Sequence, residues 1–122
     1  MKKKYIPDRN DIIWIDFEPT KGKEIGKYRP ALVLSAKKYN ECVKQLICCP
    51  ISTSVRGHVM EVPVNNLDKP SAVVANIIRT VEWGARHVKF IVHAEEGVMT
   101  AVLQRIVPLI GADKLLLESG RG

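Results

Sequence analysis

Three polar stretches carry residue types suited to chemistry on an anionic substrate. Lys21–Arg29 (KGKEIGKYR) sets Lys21, Lys23, Lys27 and Arg29 around one carboxylate, Glu24. Arg29 stands just before Pro30 at the opening of an apolar run, and a guanidinium held on a rigid element makes a good phosphate clamp. Ser52-Thr53-Ser54 places three hydroxyls at the end of another apolar run; each both donates and accepts hydrogen bonds. Every one of these has a plainer structural alternative. Charged loops are commonly just solvated, arginine is a common ion-pair residue, and hydroxyl clusters commonly begin turns. Taken singly, none decides between the two readings.

Other chemistries find little support. No phosphate loop, dinucleotide fingerprint or zinc-protease motif is present. Cys42, Cys48 and Cys49 are an odd set without secretory context, which implies reduced thiols in a cytosol. Adjacent Cys48 and Cys49 should face opposite sides of a strand, so neither a disulfide nor a shared metal is expected of them. His58, His87 and His93 lack zinc-ligand spacing, and no metal or cofactor is predicted.

The elements that must position these residues are mostly short strands. Asp11–Phe17 (DIIWIDF) alternates as a strand, and Ala31–Ser35 (ALVLS) reads as a second, buried on both faces. Pro30 is tolerated at its start because it has no N–H to donate. The 18–28 stretch between them reads as a loop broken by Pro19, Gly22 and Gly26. A helical turn over Ala36–Val43 precedes strands at Gln45–Ile51, His58–Val64, Ser71–Ala75, Arg79–Trp83 and Lys89–His93. Helical periodicity recurs only from about Ala94 to Ile110, with Glu95 and Glu96 favouring its start and Gly111 its end. Pro108 is expected to kink or shorten that helix. The pattern predicts one mainly β domain over residues 1–122, a bent barrel or two packed sheets with a C-terminal helix.

The 122 residues suffice for one core without staples. Apolar runs are too short to span a membrane, and residues 1–10 lack the apolar stretch of a signal peptide. Net charge is +6, and residues 1–40 hold ten basic against five acidic groups. A polyanion is the natural partner.

Together these stretches resemble one family. DIIWIDF (Asp11–Phe17), PTKGKE (Pro19–Glu24), GKYRPALVLS (Gly26–Ser35), CPIST (Cys49–Thr53) and Arg79-Thr80 are similar in order and spacing to the MazF/PemK toxin endoribonucleases. The resemblance implies a small SH3-like barrel, the MazF/PemK/CcdB-like toxin fold, assembled as a homodimer. It implies metal-independent cleavage of single-stranded RNA, chiefly mRNA, by attack of a ribose 2′-OH on the adjacent phosphorus. The products are a 2′,3′-cyclic phosphate and a 5′-OH. On the family pattern Arg29 is the key arginine and Ser52, in place of the usual threonine, the key hydroxyl. Glu24 matches the acidic loop residue, a general base or RNA contact. The RNA track would comprise Lys21, Lys23, Lys27, Tyr28, Thr53, Arg56, Asn76, Arg79 and Arg86.

Asn76-Ile77 departs from the family's common Asp-Gln pair, and Ile25 from its Gln, so a relative's cleavage sequence does not transfer. Trp14 and Phe17 are expected in the core or a dimer interface, with Tyr28 and Trp83 nearer the loops. The implied partners are single-stranded RNA, a second copy, and a MazE/PemI-like antitoxin whose acidic tail competes for the basic groove. DNA would be engaged only through that antitoxin, and no membrane is involved. The expected location is the bacterial cytoplasm. Non-catalytic gyrase poisons share the barrel and form the alternative; they lack the arginine-plus-hydroxyl pair.

Overall fold

The computed structural model describes residues 4–17 and 28–121. Among them, β1 (Asp11–Asp16), β2 (Tyr28–Val33), α1 (Lys37–Val43), β3 (Gln45–Ser52), β4 (Glu61–Val64), β5 (Ser71–Val74), β6 (Arg79–Glu82), β7 (Lys89–His93), α2 (Val98–Leu109) and α3 (Ala112–Arg121) follow in chain order. The strands pair antiparallel along the path β4-β5-β3-β2-β1-β7, and β6 adds to β3.

Strand β3 organises the bend. One of its edges takes β2 over Cys48–Pro50; the other takes β6 over Gln45–Cys48 and then β5 at Ile51 and Ser52. Two cores form as a result, one on each face. Ile12, Leu32, Cys49, Ile51, Val62 and Val73 pack under α2, whose Val98, Val102 and Ile106 recur every four residues. Ile13, Ile15, Ala31, Val33, Cys48, Val81 and Trp83 fill the other. The apolar doublets of β1 and β2 are therefore buried on both sides, as their composition predicts. Full burial of each Ile or Val contributes roughly 1.5–3 kcal/mol relative to exposure.

A buried amide closes the second core. Asn40, fully buried on α1, donates from Nδ2 to the carbonyls of Pro7 (2.8 Å) and Ser35 (3.1 Å) and accepts at Oδ1 from Ser35 Oγ (2.6 Å). Its carbonyl accepts from Trp83 Nε1 at 3.1 Å. Trp83, expected near a loop, is thus a core residue.

The C-terminal region differs from expectation. Two helices stand where one was predicted, and the first starts at Val98 instead of Ala94. Glu95 is occupied elsewhere, accepting the Asn65 N–H at 2.6 Å. Pro108 lies inside α2, yet the helix reaches Leu109. The one carbonyl it deprives, that of Gln104, belongs to an exposed residue that water can serve. Gly111, at φ +78°, makes the turn into α3. The strand predicted from His58 begins only at Glu61, because residues 54–60 form a loop held by that glutamate.

Candidate RNA-cleavage site

Arg29 and Ser52 are separated in sequence and joined by the sheet. Arg29 registers with Ile15, and the next residue, Pro30, with Trp14. Ser52 ends β3, where it registers with Ala72 of β5. Both residues line one cavity of about 670 Å³, whose walls include Trp14, Thr53, Lys69 and Val92. Among the described residues no hydrogen bond or ion pair engages the Arg29 guanidinium.

Ser52 Oγ accepts the Ser54 N–H at 3.0 Å. The hydroxyl therefore begins a turn and also leaves its own proton free to donate. The two readings of this cluster are compatible. Such a donor beside an unengaged guanidinium suits a phosphate whose negative charge grows during reaction.

A smaller cavity of about 390 Å³ adjoins this one and shares Ser52 and Ser54 with it; Arg56, His58 and Asn76 line it. Its loop is pinned by Glu61, which accepts backbone N–H bonds from Arg56 (3.0 Å) and His58 (2.9 Å). The His58 N–H above all, against some desolvation, holds the Glu61 carboxyl below its ordinary value. His58 Nδ1 accepts the Met60 N–H at 3.1 Å, which leaves Nε2 as the protonated nitrogen of the neutral ring.

Tyr28 stacks on Trp14, with centroids 5.4 Å apart and planes 19° from parallel, and donates from its hydroxyl to the His87 carbonyl. Trp14 is 37% exposed on the cavity wall. Of the two positions expected, core or dimer interface, the core is not where it lies, because alternation in DIIWIDF leaves two apolar faces and does not say where one of them reaches the rim.

Arg79 and Arg86 gather elsewhere, around Phe17. The Arg79 guanidinium lies over the Phe17 ring at 5.1 Å. Arg86 donates to the carbonyls of Asp16 (3.1 Å) and Phe17 (2.6 Å), bracing the exit of β1. Glu24, Lys21, Lys23 and Lys27 lie outside the described residues. Lys69 and Asn66 of the central cavity carry no motif and escaped the sequence reading.

The two buried cysteines are poor nucleophiles. Burial, reinforced by neighbouring Cys49 and opposed by Arg79 and Arg86, pushes the Cys48 thiol up to about 12. Burial alone takes Cys49 to about 12. Cys42 is exposed on α1. Among the described residues no three His, Cys, Asp or Glu side chains group to hold a metal ion.

The bent antiparallel sheet with its C-terminal helices is the architecture of a small β-barrel toxin, and its central cavity holds an arginine and a strand-end hydroxyl. Residues 8–110 match the PemK-like, MazF-like toxins of type II toxin–antitoxin systems, and the chain belongs to that family. It is 37% identical over 86 residues to the endoribonuclease toxin MazF of Escherichia coli K12, covering 70% of this chain and 78% of that protein. It is 32% identical over 116 residues to the endoribonuclease toxin ChpB of the same strain, covering 90% and 99%. In structure it is similar to MazF in a MazE–MazF crystal form from Deinococcus radiodurans. The TM-score is 0.80 at 31% identity, over 88% of this chain and 98% of that one.

Proposed function

We propose that this protein is a sequence-specific endoribonuclease toxin that cuts single-stranded RNA, mainly mRNA, without a metal. The observation that carries the reading is Arg29 and Ser52 lining one cavity, the first unengaged among the described residues and the second with a proton left to donate. A ribose 2′-OH attacks the adjacent phosphorus, and the P–O5′ bond breaks. The products are a 2′,3′-cyclic phosphate and a 5′-OH. Arg29 clamps the non-bridging oxygens and Ser52 donates to one of them as charge builds on the phosphorane. Proton transfer by Arg29 is secondary, since a guanidinium is too weak an acid to give or take a proton readily at neutral pH. Glu24 is the candidate base for the 2′-OH.

Cutting mRNA would stop translation and growth, and a cognate antitoxin would restrain it. The support is kinship with named endoribonuclease toxins and likeness to a MazE–MazF structure. An acidic antitoxin tail competes for the groove, DNA is reached only through that antitoxin, and two copies form the active dimer in the bacterial cytoplasm. No helix among the described residues is long and apolar enough to cross a membrane.

The test is to incubate purified protein with a long single-stranded RNA in EDTA. Discrete cuts ending in cyclic phosphate are expected. Intact RNA together with stalled topoisomerase would instead identify a gyrase poison.

A further inference from the structure

A second cluster of polar and aromatic side chains lies on the other face of the sheet edge from the cleavage cavity. Its origin is an irregularity in β7. Val92 registers with Ile12 and Phe90 with Ile13, so Ile91 has no partner across the ladder. Strict alternation would put Phe90 and His93 on opposite faces. The extra residue instead turns Ile91 and Val92 together toward the first core and brings the Phe90 and His93 rings to 5.0 Å on the opposite face.

Asp11 is the hub of this cluster. It is 3% exposed and registers with His93. Its Oδ2 accepts from the Tyr5 hydroxyl (2.6 Å) and the Asp8 N–H (3.0 Å), and its Oδ1 lies 2.9 Å from His93 Nδ1. An ionised carboxylate has no proton to give, so Nδ1–H is the donor and Nε2 is left to solvent. Burial, then the bond to Asp11, pushes the Tyr5 hydroxyl well above its ordinary value, so it stays a donor. The Tyr5 ring meets Phe90 edge-on at 5.7 Å. Tyr5, Phe90, His93 and Lys89 line a shallow cavity of about 540 Å³.

We propose that this cluster is a remote nucleobase subsite. One unpaired base of the substrate stacks on the Phe90 ring with His93 at its edge, and Lys89 meets the adjoining phosphate. The inference rests on the RNA-cleavage reading above. Two observations favour a nucleic-acid strand over an acidic peptide. The half-exposed Phe90 ring is held edge-on between Tyr5 and His93, both fixed by Asp11, so one aromatic face is presented beside a cation, which is how single strands are held. The platform also continues from the cleavage cavity: Trp14 lines that cavity, and its cross-strand neighbour Lys89 lines this one. A strand leaving the cut site reaches it by passing over β7, which pairs only with β1 among the described residues.

The test uses two RNA oligonucleotides with 2′-deoxyribose at the cleaved nucleotide, which removes the nucleophile. One fills only the central cavity, and the other extends several nucleotides both ways. The full chain should bind the long one more tightly, and Phe90→Ala should weaken it by about 5–100-fold. The short one should keep its affinity. A 5-iodouracil in the extension should photocrosslink to Tyr5 or Phe90. Equal long-strand affinity for wild type, Phe90→Ala and His93→Ala would overturn the subsite, as would a loss confined to an acidic antitoxin-tail peptide. Melting curves check that both variants fold; if Phe90→Ala does not, His93→Ala and the crosslink decide. Failure of the wild type to bind or cut any RNA would defeat the cleavage reading itself; normal cutting with an indifferent Phe90→Ala defeats only the subsite.

Discussion

In the proposed reaction Arg29 supplies charge stabilisation and Ser52 a hydrogen bond, and substitution separates the two. Arg29→Ala should abolish RNA cleavage while the protein keeps its wild-type circular dichroism and melting transition, since no described partner depends on that guanidinium. Normal cutting by a folded Arg29→Ala protein would remove the site assignment. Ser52→Ala should lower kcat by about 10²–10³ if its hydroxyl is an oxyanion-type donor. It also removes the acceptor for the Ser54 N–H, so Ser52→Thr is the informative companion: it restores the hydroxyl and should recover most of the rate. Thr53→Ala, one residue past the strand end, should cost much less; a larger effect there than at Ser52 would shift the register by one. That Arg29 and Ser52 stand at strand ends was legible because arginine before proline and a hydroxyl after an apolar run mark such ends by local rules. Trp14 at the rim and the Tyr5–Asp11–His93 cluster were not, because they depend on how far a sheet extends and on one bulged residue.

One carboxylate, that of Glu61, holds two backbone amides of the loop between β3 and β4. Because bonding lowers the folded value of Glu61, its contribution is fully present above the ordinary value of 4.5 and is lost as pH falls through the depressed one. The Arg56 and His58 amide resonances should therefore titrate together, with a midpoint below 4.5. A midpoint at or above that value would mean that Glu61 does not hold the loop. Asn40→Ala tests the other polar anchor. Stripping the amide leaves the buried carbonyls of Pro7 and Ser35 short of a donor and should cost about 1–3 kcal/mol for each group stranded, read by denaturant unfolding. Strand positions were largely readable from alternation and from Pro and Gly punctuation; Lys89–His93 agrees at both ends. The start of β4 was not, because the VRGHVM stretch carries no signal that Glu61 will fold back on its amides. Helix α3 was missed because its large apolar residues, Leu115–Leu117, fill less than one turn and show no repeat along the chain; all three stand exposed.

Across the whole molecule, the surplus of positive charge now has a location in part. Arg29, Lys69 and Arg56 line the two joined cavities together with Asp68 and Glu61, while Arg79 and Arg86 are engaged around Phe17. Binding of a non-cleavable RNA should weaken steeply with salt. An Arg86→Gln change should move thermal stability more than that salt slope, because its guanidinium serves two backbone carbonyls. A slope reduced by about one unit would instead mark Arg86 as a phosphate contact.

The two back-to-back cores have one more consequence. Cys48 and Cys49 are peptide neighbours whose thiols are sealed in different cores, so each reacts only when its own side opens. The rates at which a thiol reagent modifies them in native protein are then two separate clocks set one residue apart. Equal rates would mean that the cores breathe as one unit. Unequal rates would show which face of the sheet loosens first, without any added probe.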